Sequence, residues 1–379
     1  MARIPRNAEY TKEFNRKLFI RLLRQQNLSR ADIARESGLT RAAASLIVDE
    51  LLSEHILREL PPTIVGRGRA PIPLSVCEDA YYAAGIYWNR TGCRAGISNL
   101  ASRLIAEQSI PLDQIPQGEA AVSLLARTLE DLVLQAGIPR EKLLGVGISA
   151  PGPLDAEEGK FLNPPQFSAW RDSAIAPLLR QHLQIPVYLE NNAGSLAIYN
   201  YEKHAAHGLK DFLLLLVDSG VGSGVISGGK LLKSASHFTS ELGHVSIRYD
   251  GKPCPCGNIG CLETYASIPN LLQEFPTFHS WREIIDADTP LAHKAIQAEA
   301  VYLSAGIATL ANLINIQAVL LAGDILYGFE TLQAQIHQNI HGRILTHGET
   351  PLQILPSICT DGTDLCAACN IVFSRFLSS

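Results

Sequence analysis

The chain has 379 residues, of which 46% are hydrophobic and 18% charged, so it can bury a large core and divide into more than one domain. No run of about 18 uncharged apolar residues occurs, and residues 1–10 lack the apolar core of a signal peptide, so we expect a cytoplasmic protein without a membrane span. The net charge of −5 argues against nucleic-acid binding by the chain as a whole, because phosphate neutralisation requires a basic surface.

The N-terminal segment, residues 1–70, differs from this average. It contains 13 Lys and Arg residues against 8 Asp and Glu residues, whereas the remainder of the chain contains 19 against 29. Leu18, Phe19, Leu22 and Leu23 recur at helical spacing among basic residues, which predicts an amphipathic helix over residues 15–25. A small basic segment on an acidic chain is the distribution expected when one part of a protein approaches DNA.

Two further helices are predicted after this one. Ser29 is expected to cap the first of them, with Asp32 as the acidic partner of a capping box and Gly38 after its end. Thr40 is expected to cap the next helix, which runs to about His55. Two short helices joined by a glycine-containing turn form the helix-turn-helix pattern, although a small helical bundle of another kind has the same spacing.

The second helix of such a pair presents its N-terminal residues to the major groove. Alanines there can contact thymine methyl groups, serine can bond to a base or a phosphate, and arginine suits phosphate or guanine. The helical residues predicted to contact DNA are Ser29, Arg30, Thr40, Arg41, Ala42, Ala43 and Ser45.

A predicted wing follows the third helix. It consists of residues 56–60, a turn with two prolines at 61–62, and a glycine-arginine run over residues 66–71. Arg67 and Arg69 are predicted to lie along the minor groove, where arginines favour the concentrated negative potential. A plain linker is the alternative interpretation of this run. We assign residues 1–72 to a winged helix-turn-helix DNA-binding domain.

The remaining residues, 73–379, are predicted to form a two-lobed α/β domain. Apolar runs typical of buried strands lie at 143–148, 186–189, 212–217 and 318–322, with helical patterns at about 120–135 and 299–314. This alternation predicts a largely parallel sheet, with a ligand site in the loops at the strand ends.

Cysteine spacing gives the strongest local signal. The eight cysteines of a cytoplasmic chain are expected to be thiols or metal ligands. A glycine-rich loop over residues 244–263 carries His244, Cys254, Cys256 and Cys261. Three thiolates and an imidazole can surround a tetrahedral zinc ion, and four protein ligands leave no open position, so we predict a structural Zn²⁺ site. Cys366 and Cys369 lie in an apolar pattern and are predicted to be buried helix cysteines.

Further motifs occur along the large domain at Gly145–Asp155, Glu190–Ala193, Asp218–Gly224 and Glu241–His244, followed by the cysteine loop. In order and spacing they resemble the ROK family of repressors and sugar kinases, and with the helix-turn-helix the chain is similar to the repressor branch. The resemblance implies an actin-like, hexokinase-like ATPase fold that binds a sugar between its lobes. The sugar-contacting positions that it implies are Asn191, Asn192, Glu241, His244 and Glu263.

Two departures from the family's kinases argue against phosphotransfer. The resemblance places a general base, an aspartate, at the position of Asn192, and an amide cannot accept the substrate's proton. Tyr87 replaces an aspartate of the phosphate loop, while Trp88 and Asn89 stand where glycines let phosphate approach the backbone. We therefore predict that the chain is not an enzyme.

The predicted function is transcriptional repression of carbohydrate-metabolism genes. A homodimer, or a tetramer, is expected to hold operator DNA and to release it when a sugar or sugar phosphate binds in the cleft. One alternative is an ATP-dependent sugar kinase with an accessory DNA-binding segment. In another, a protein partner rather than a sugar provides the signal.

Overall fold

The N-terminal unit consists of three helices and a small sheet. The computed structural model of the chain describes residues 8–62, 71–89, 92–162, 170–204, 208–234, 239–345, 351–359 and 362–378. The elements of the unit are α1 (Ala8–Gln25), β1 (Leu28–Ser29), α2 (Arg30–Ser37), α3 (Arg41–Ser53), β2 (Leu57–Glu59) and β3 (Pro73–Val76). The three helices agree with the prediction, although α1 begins earlier and α3 ends slightly before the predicted residue.

Local side-chain bonds explain where α2 and α3 begin and end. Ser29 and Asp32 form the predicted capping box, in which each side chain accepts from the other residue's backbone N–H. Gly38 has a φ of 70° and ends α2 in the left-handed conformation that glycine adopts without strain. The Thr40 hydroxyl accepts from the backbone N–H of Ala43 at 3.3 Å, so α3 also starts at its predicted cap.

The sheet of the N-terminal unit corrects the predicted domain boundary. β3 is its central strand and pairs antiparallel with β1 and with β2. A division after residue 72 would separate β3 from both of its partners, so residues 73–76 belong with the N-terminal unit. Arg67 and Arg69, the predicted minor-groove arginines, lie outside the described residues. Phe19, Leu51 and Leu74 are fully buried in the core of this unit.

The large domain has two lobes, each built on a five-stranded sheet. The elements of the first lobe are β4 (Tyr82–Trp88), β5 (Gly92–Asn99), β6 (Leu104–Pro111), α4 (Glu119–Gln135), β7 (Leu143–Ala150), β8 (Leu154–Asp155), β9 (Lys160–Phe161), α5 (Ile175–Leu183) and β10 (Val187–Asn191). Its strand order is β10-β7-β4-β5-β6. β4, β7 and β10 run parallel, whereas β5 and β6 add as antiparallel strands.

The second lobe follows directly. Its elements are α6 (Asn192–His204), β11 (Phe212–Val217), β12 (Val221–Ser227), β13 (Lys230–Leu231), α7 (Glu263–Ala266), α8 (Ile268–Glu274), α9 (Trp281–Asp286), α10 (Pro290–Leu313), β14 (Ala318–Ala322), α11 (Phe329–Ile340), β15 (Gln353–Pro356) and α12 (Thr363–Ser378). β11, β14 and β15 run parallel, and β12 and β13 are antiparallel. Both sheets are therefore mixed, and the prediction of a largely parallel sheet is wrong, because hairpins complete each lobe.

Helices α6 and α12 connect the lobes. A Cβ at Gly224 would lie 2.5 Å from the carbonyl oxygen of Ala193, so the start of α6 packs directly on β12. A Cβ at Gly147 would lie 2.0 Å from the carbonyl oxygen of Ala368, so α12 packs equally closely on β7. Cys366 and Cys369 are buried on α12, as predicted. Among the described residues, no helix is both long enough and apolar enough to cross a membrane.

Candidate functional site

Four side chains converge in the loop between β13 and α7. The ligand atoms of His244, Cys254, Cys256 and Cys261 all lie within 4.8 Å of one another. Cys254 Sγ is 3.6 Å from His244 Nδ1, and Cys256 Sγ is 3.7 Å from Cys261 Sγ. Two sulfurs that each lie about 2.3 Å from one tetrahedral zinc ion are separated by about 3.8 Å. The spacing of these atoms therefore fits a closed four-ligand metal centre.

The backbone of this loop is shaped by a glycine. Gly260 has a φ of 70°, and a Cβ there would lie 1.6 Å from the carbonyl oxygen of Arg248, so no other residue fits. The close contact allows Ser246 to pair antiparallel with Cys261, which returns the third cysteine to the position of His244. The metal loop is thus formed by backbone bonds as well as by its ligands.

A polar cleft of about 80 Å³ opens beside the metal loop. It lies between the C-terminal ends of β7 and β10, the first turn of α6 and the turn that joins β11 to β12. The structure brings all five residues of the predicted sugar site to this cleft: Asn191, Asn192, Glu241, His244 and Glu263. A space of this size holds several water molecules, at about 10–15 Å³ each, and so suits a small polar ligand.

The two carboxyl groups of the cleft differ in their environment. Glu263 Oε2 accepts from the backbone N–H of Val221 at 2.9 Å, which fixes the side chain at the start of β12. Burial, together with the nearby carboxylate of Glu263, raises the pKa of Glu241 to about 7. Glu241 can therefore donate to, as well as accept from, a ligand hydroxyl near neutral pH.

The two asparagines of the cleft also hold the backbone in place. Asn191 Oδ1 accepts from the backbone N–H groups of Ala193 at 2.9 Å and Gly194 at 3.4 Å, and so caps the start of α6. Asn192 Oδ1 accepts from the Ser149 hydroxyl at 2.8 Å, and Asn192 Nδ2 donates to the Trp88 carbonyl at 2.9 Å. The amide of Asn192 is thus bonded at both ends inside the protein, where the resemblance to kinases requires a carboxylate.

A second and larger cavity, of about 630 Å³, adjoins the cleft and shares the residues Asn89, Leu216 and Asp218 with it. Tyr87 lines this cavity, and burial raises the pKa of its hydroxyl well above its ordinary value. Trp88 is fully buried and stacks edge-on against Trp170, with ring centroids 4.5 Å apart. The stretch that departs from the kinase phosphate loop is therefore held by aromatic packing.

The predicted DNA-contacting residues divide into exposed and bonded groups. Thr40, Arg41 and Ala42 are exposed, while Ala43 and Ser45 are half-buried. Arg30 forms ion pairs with Asp49 at 2.6 Å and Glu59 at 3.4 Å. Ser29 is buried and its hydroxyl is bonded to Asp32, so the structure argues against its predicted contact with DNA.

Leu46 is a further exposed residue of α3 that is not among the residues predicted to contact DNA. Its side chain is 68% exposed on the outer face of α3, one turn after Arg41 and Ala42. A leucine in an amphipathic helix is expected in the buried apolar stripe. Here that stripe includes Ala44, Ile47 and Val48, and Leu46 lies outside it. The angular position of Leu46 relative to these residues is the signal that identifies it as a surface residue.

Comparison with known proteins agrees with the described architecture. The sequence pattern of the ROK family matches residues 84–372. The xylose repressor of Bacillus spizizenii is 27% identical, and the match covers 97% of this chain and 97% of the repressor.

Solved structures confirm the predicted two-lobed, hexokinase-like fold. A ROK family transcriptional regulator, a homologue of the Escherichia coli Mlc protein, superimposes with a TM-score of 0.79 at 24% identity, covering 97% of both chains. The ROK hexokinase from Thermus thermophilus superimposes with a TM-score of 0.63 at 27% identity, covering 78% of this chain and 99% of the hexokinase. The regulator thus matches nearly the whole chain, whereas the hexokinase matches a smaller part of it.

Proposed function

Because the chain belongs to the ROK family, we propose that it is a cytoplasmic, DNA-binding repressor of carbohydrate-metabolism genes that a sugar or sugar phosphate releases from its operator. Two observations support the proposal: three N-terminal helices and a polar cleft occur on one chain, and the match to a xylose repressor covers 97% of that chain. The proposal does not require chemistry in the cleft, only binding.

The DNA-reading part of the proposal rests on α3. Arg41 is exposed and suits phosphate or guanine, and Ala42 and Ala43 offer methyl groups to thymine. In a homodimer or tetramer, two copies of α3 would contact half-sites about 34–36 Å apart. Arg30 would reach a phosphate only by exchanging its ion pairs with Asp49 and Glu59.

The metal part of the proposal assigns a structural Zn²⁺ to the four-ligand loop. The 3.6 Å and 3.7 Å separations among its ligand atoms support a tetrahedral ion with no vacant position. His244 lies in both the metal centre and the cleft, and Glu263 follows the last cysteine by two residues. Residues around a metal centre hold one another in fixed orientations. A zinc ion bound there would therefore also fix His244 and Glu263 for contact with a sugar.

The sugar part of the proposal rests on the donors and acceptors of the cleft. Glu241, Glu263 and the amide nitrogen of Asn191 are polar groups that a ring with several hydroxyls can satisfy. A ligand that left such buried groups without partners would bind poorly, so the cleft selects by hydroxyl pattern. Asn192 contributes its position on the cleft wall, and its bonded amide argues against phosphotransfer.

Operator binding by the purified full-length chain tests this proposal. DNA selected from a random pool would be titrated by fluorescence anisotropy with and without D-xylose, D-glucose, N-acetyl-D-glucosamine and their phosphates. We expect one of these sugars to weaken DNA binding at least about tenfold, equivalent to about 1.4 kcal/mol. Glu241→Gln should lower the affinity for that sugar and leave sugar-free DNA binding unchanged.

Three results would contradict the proposal. If the chain enriches no DNA sequence from the random pool, it is not a sequence-specific repressor. An unchanged DNA affinity with every sugar would favour a protein partner as the signal. Sugar-dependent ATP turnover that disappears in Asn192→Ala would support the kinase alternative instead.

A further inference from the structure

Arg24 lies in the last turn of α1, in the N-terminal unit, and its side chain contacts the large domain. Its side chain is only 5% exposed. Its guanidinium donates to the Leu100 carbonyl at 2.8 Å, the Ser102 hydroxyl at 3.1 Å and Asn370 Oδ1 at 2.8 Å, and it pairs with Glu202 at 3.2 Å. All four partners belong to the large domain.

These contacts join α1 to both helices that connect the lobes. Glu202 lies in the last turn of α6, and Asn370 lies on α12. The guanidinium also lies over the ring of Phe373, another α12 residue, at 4.6 Å from its centroid. Because the guanidinium is planar and its donors point in fixed directions, this set of bonds specifies the orientation of α1 as well as its distance.

Helix α6 extends from the cleft to Arg24. Its first residue, Asn192, lines the cleft, and the Asn191 side chain caps its first turn. Its 13 residues span about 20 Å at 1.5 Å per residue. Rigid secondary elements can carry coupling between distant sites, and α6 provides such an element between the cleft and Glu202.

We propose that Arg24 is a positioning residue that couples occupancy of the cleft to the orientation of the DNA-reading helices, with α6 as the rigid element between them. This inference rests on the proposed function, because it names the route by which a sugar would alter DNA binding. The cleft and the DNA then bias the same helix from opposite ends, and linkage makes their effects reciprocal.

Arg16 provides a matched control on the same helix. It lies two turns before Arg24 and pairs with Glu13, Glu50 and Glu54, all within the N-terminal unit. Arg16→Lys therefore alters a bonded arginine of α1 without affecting a bond to the large domain. Arg24→Lys keeps the charge but loses the forked geometry, and Glu202→Gln keeps the shape of the α6 partner but removes its charge.

The first experiment measures the ratio of operator Kd values with and without the most effective sugar of the panel above. We expect Arg24→Lys and Glu202→Gln to bind sugar-free DNA within about threefold of the wild type, and their sugar response to fall from about tenfold or more to less than about twofold. Arg16→Lys should keep the wild-type ratio. An unchanged ratio in both Arg24→Lys and Glu202→Gln would overturn the inference.

A second experiment requires no sugar. Hydrogen exchange of the first turn of α6 is measured with and without the selected operator DNA. We expect DNA to change the protection of the Ala193 to Ser195 amides in the wild type and in Arg16→Lys, but not in Arg24→Lys or Glu202→Gln. If DNA binds the wild type without changing these amides, the coupling route is wrong. If the amides respond while every sugar is inert, the sugar inducer is wrong and the coupling route stands.

Discussion

The N-terminal unit and the cleft use charge in different ways. In the unit, Arg30 is partly exposed and pairs with the nearby exposed acid Asp49. In the cleft, two carboxyl groups lie close together, and burial raises the pKa of Glu241 to about 7. Screened surface pairs can be exchanged for phosphate at little cost, whereas desolvated groups require a ligand of matching geometry. We therefore expect substitutions in the unit to have small, salt-dependent effects on DNA binding. Substitutions of buried groups in the large domain should have larger effects.

Loss of a metal ligand should give the largest effect. Cys261→Ser removes one of four converging ligand atoms, and we expect the purified protein to lose its zinc and at least about 3 kcal/mol of stability. Metal content by mass spectrometry and unfolding by urea test both expectations. Cys77→Ser, outside the metal loop, should retain the zinc. Wild-type protein that lacks zinc and unfolds at the same urea concentration as Cys261→Ser would contradict the assignment.

The buried carboxyl of Glu299 allows the cost of a desolvated charge to be measured through the pH dependence of stability. Glu299 is 0% exposed on α10, and its carboxyl oxygens have no hydrogen-bond partner among the described residues. Burial, and then the charge of Glu274, raise the pKa of Glu299 well above its usual range. The folded state thus retains a proton that the unfolded chain loses above pH of about 4.3, so this group lowers stability as pH rises.

Replacement of this carboxyl should remove that slope. Between the unfolded and folded pKa values, Glu299 lowers the stability of the wild type as pH rises, so the stability of Glu299→Gln relative to the wild type should increase with pH, by at most about 1.4 kcal/mol per pH unit. Urea unfolding of both proteins at pH 5, 6 and 7 gives the difference directly. A constant difference across this range would mean that Glu299 does not titrate as its burial requires.

Arg41 should give a smaller, salt-dependent effect. We expect Arg41→Ala to weaken binding to the selected DNA about tenfold, and the dependence of log K on log salt to decrease by about 0.9 if the contact is to phosphate. Arg35→Ala is a suitable control, because Arg35 pairs with Asp32 on α2. Equal losses in both variants would indicate a general charge effect instead of a contact from α3.

The features predicted correctly from sequence are those that short segments determine. Caps at Ser29 and Thr40 depend on neighbouring residues, and the histidine and three cysteines that converge in one loop are close together along the chain. The pairing of β3 with β1 and β2, and the contacts of Arg24 with Glu202, join residues far apart in sequence and could not be inferred from local pattern. The bonds of the Asn192 amide could not be predicted for the same reason, because Ser149 on β7 and Trp88 on β4 are far from Asn192 in sequence.

Leu46 should give the smallest effect, and it tests the proposed DNA contacts of the N-terminal unit at the level of a single methyl group. A leucine that is 68% exposed on α3 gains little from folding, but it could bury its methyl groups against a thymine methyl in the major groove. We expect Leu46→Ala to weaken binding to the selected DNA by about 1 kcal/mol, with little change in salt dependence, because no charge is lost.

Replacement of individual thymines by uracil removes the partner methyl group without changing the hydrogen bonds of the base. If Leu46 contacts a thymine, one such replacement should weaken wild-type binding and leave Leu46→Ala binding unchanged, since a contact already lost cannot be lost again. Equal losses in both proteins at every position would mean that Leu46 does not contact a base. The surface of α3 would then bind DNA through Arg41 and its neighbours alone. Charge would dominate the contacts of the N-terminal unit, in contrast to the cleft, where desolvated groups require a ligand of matching geometry.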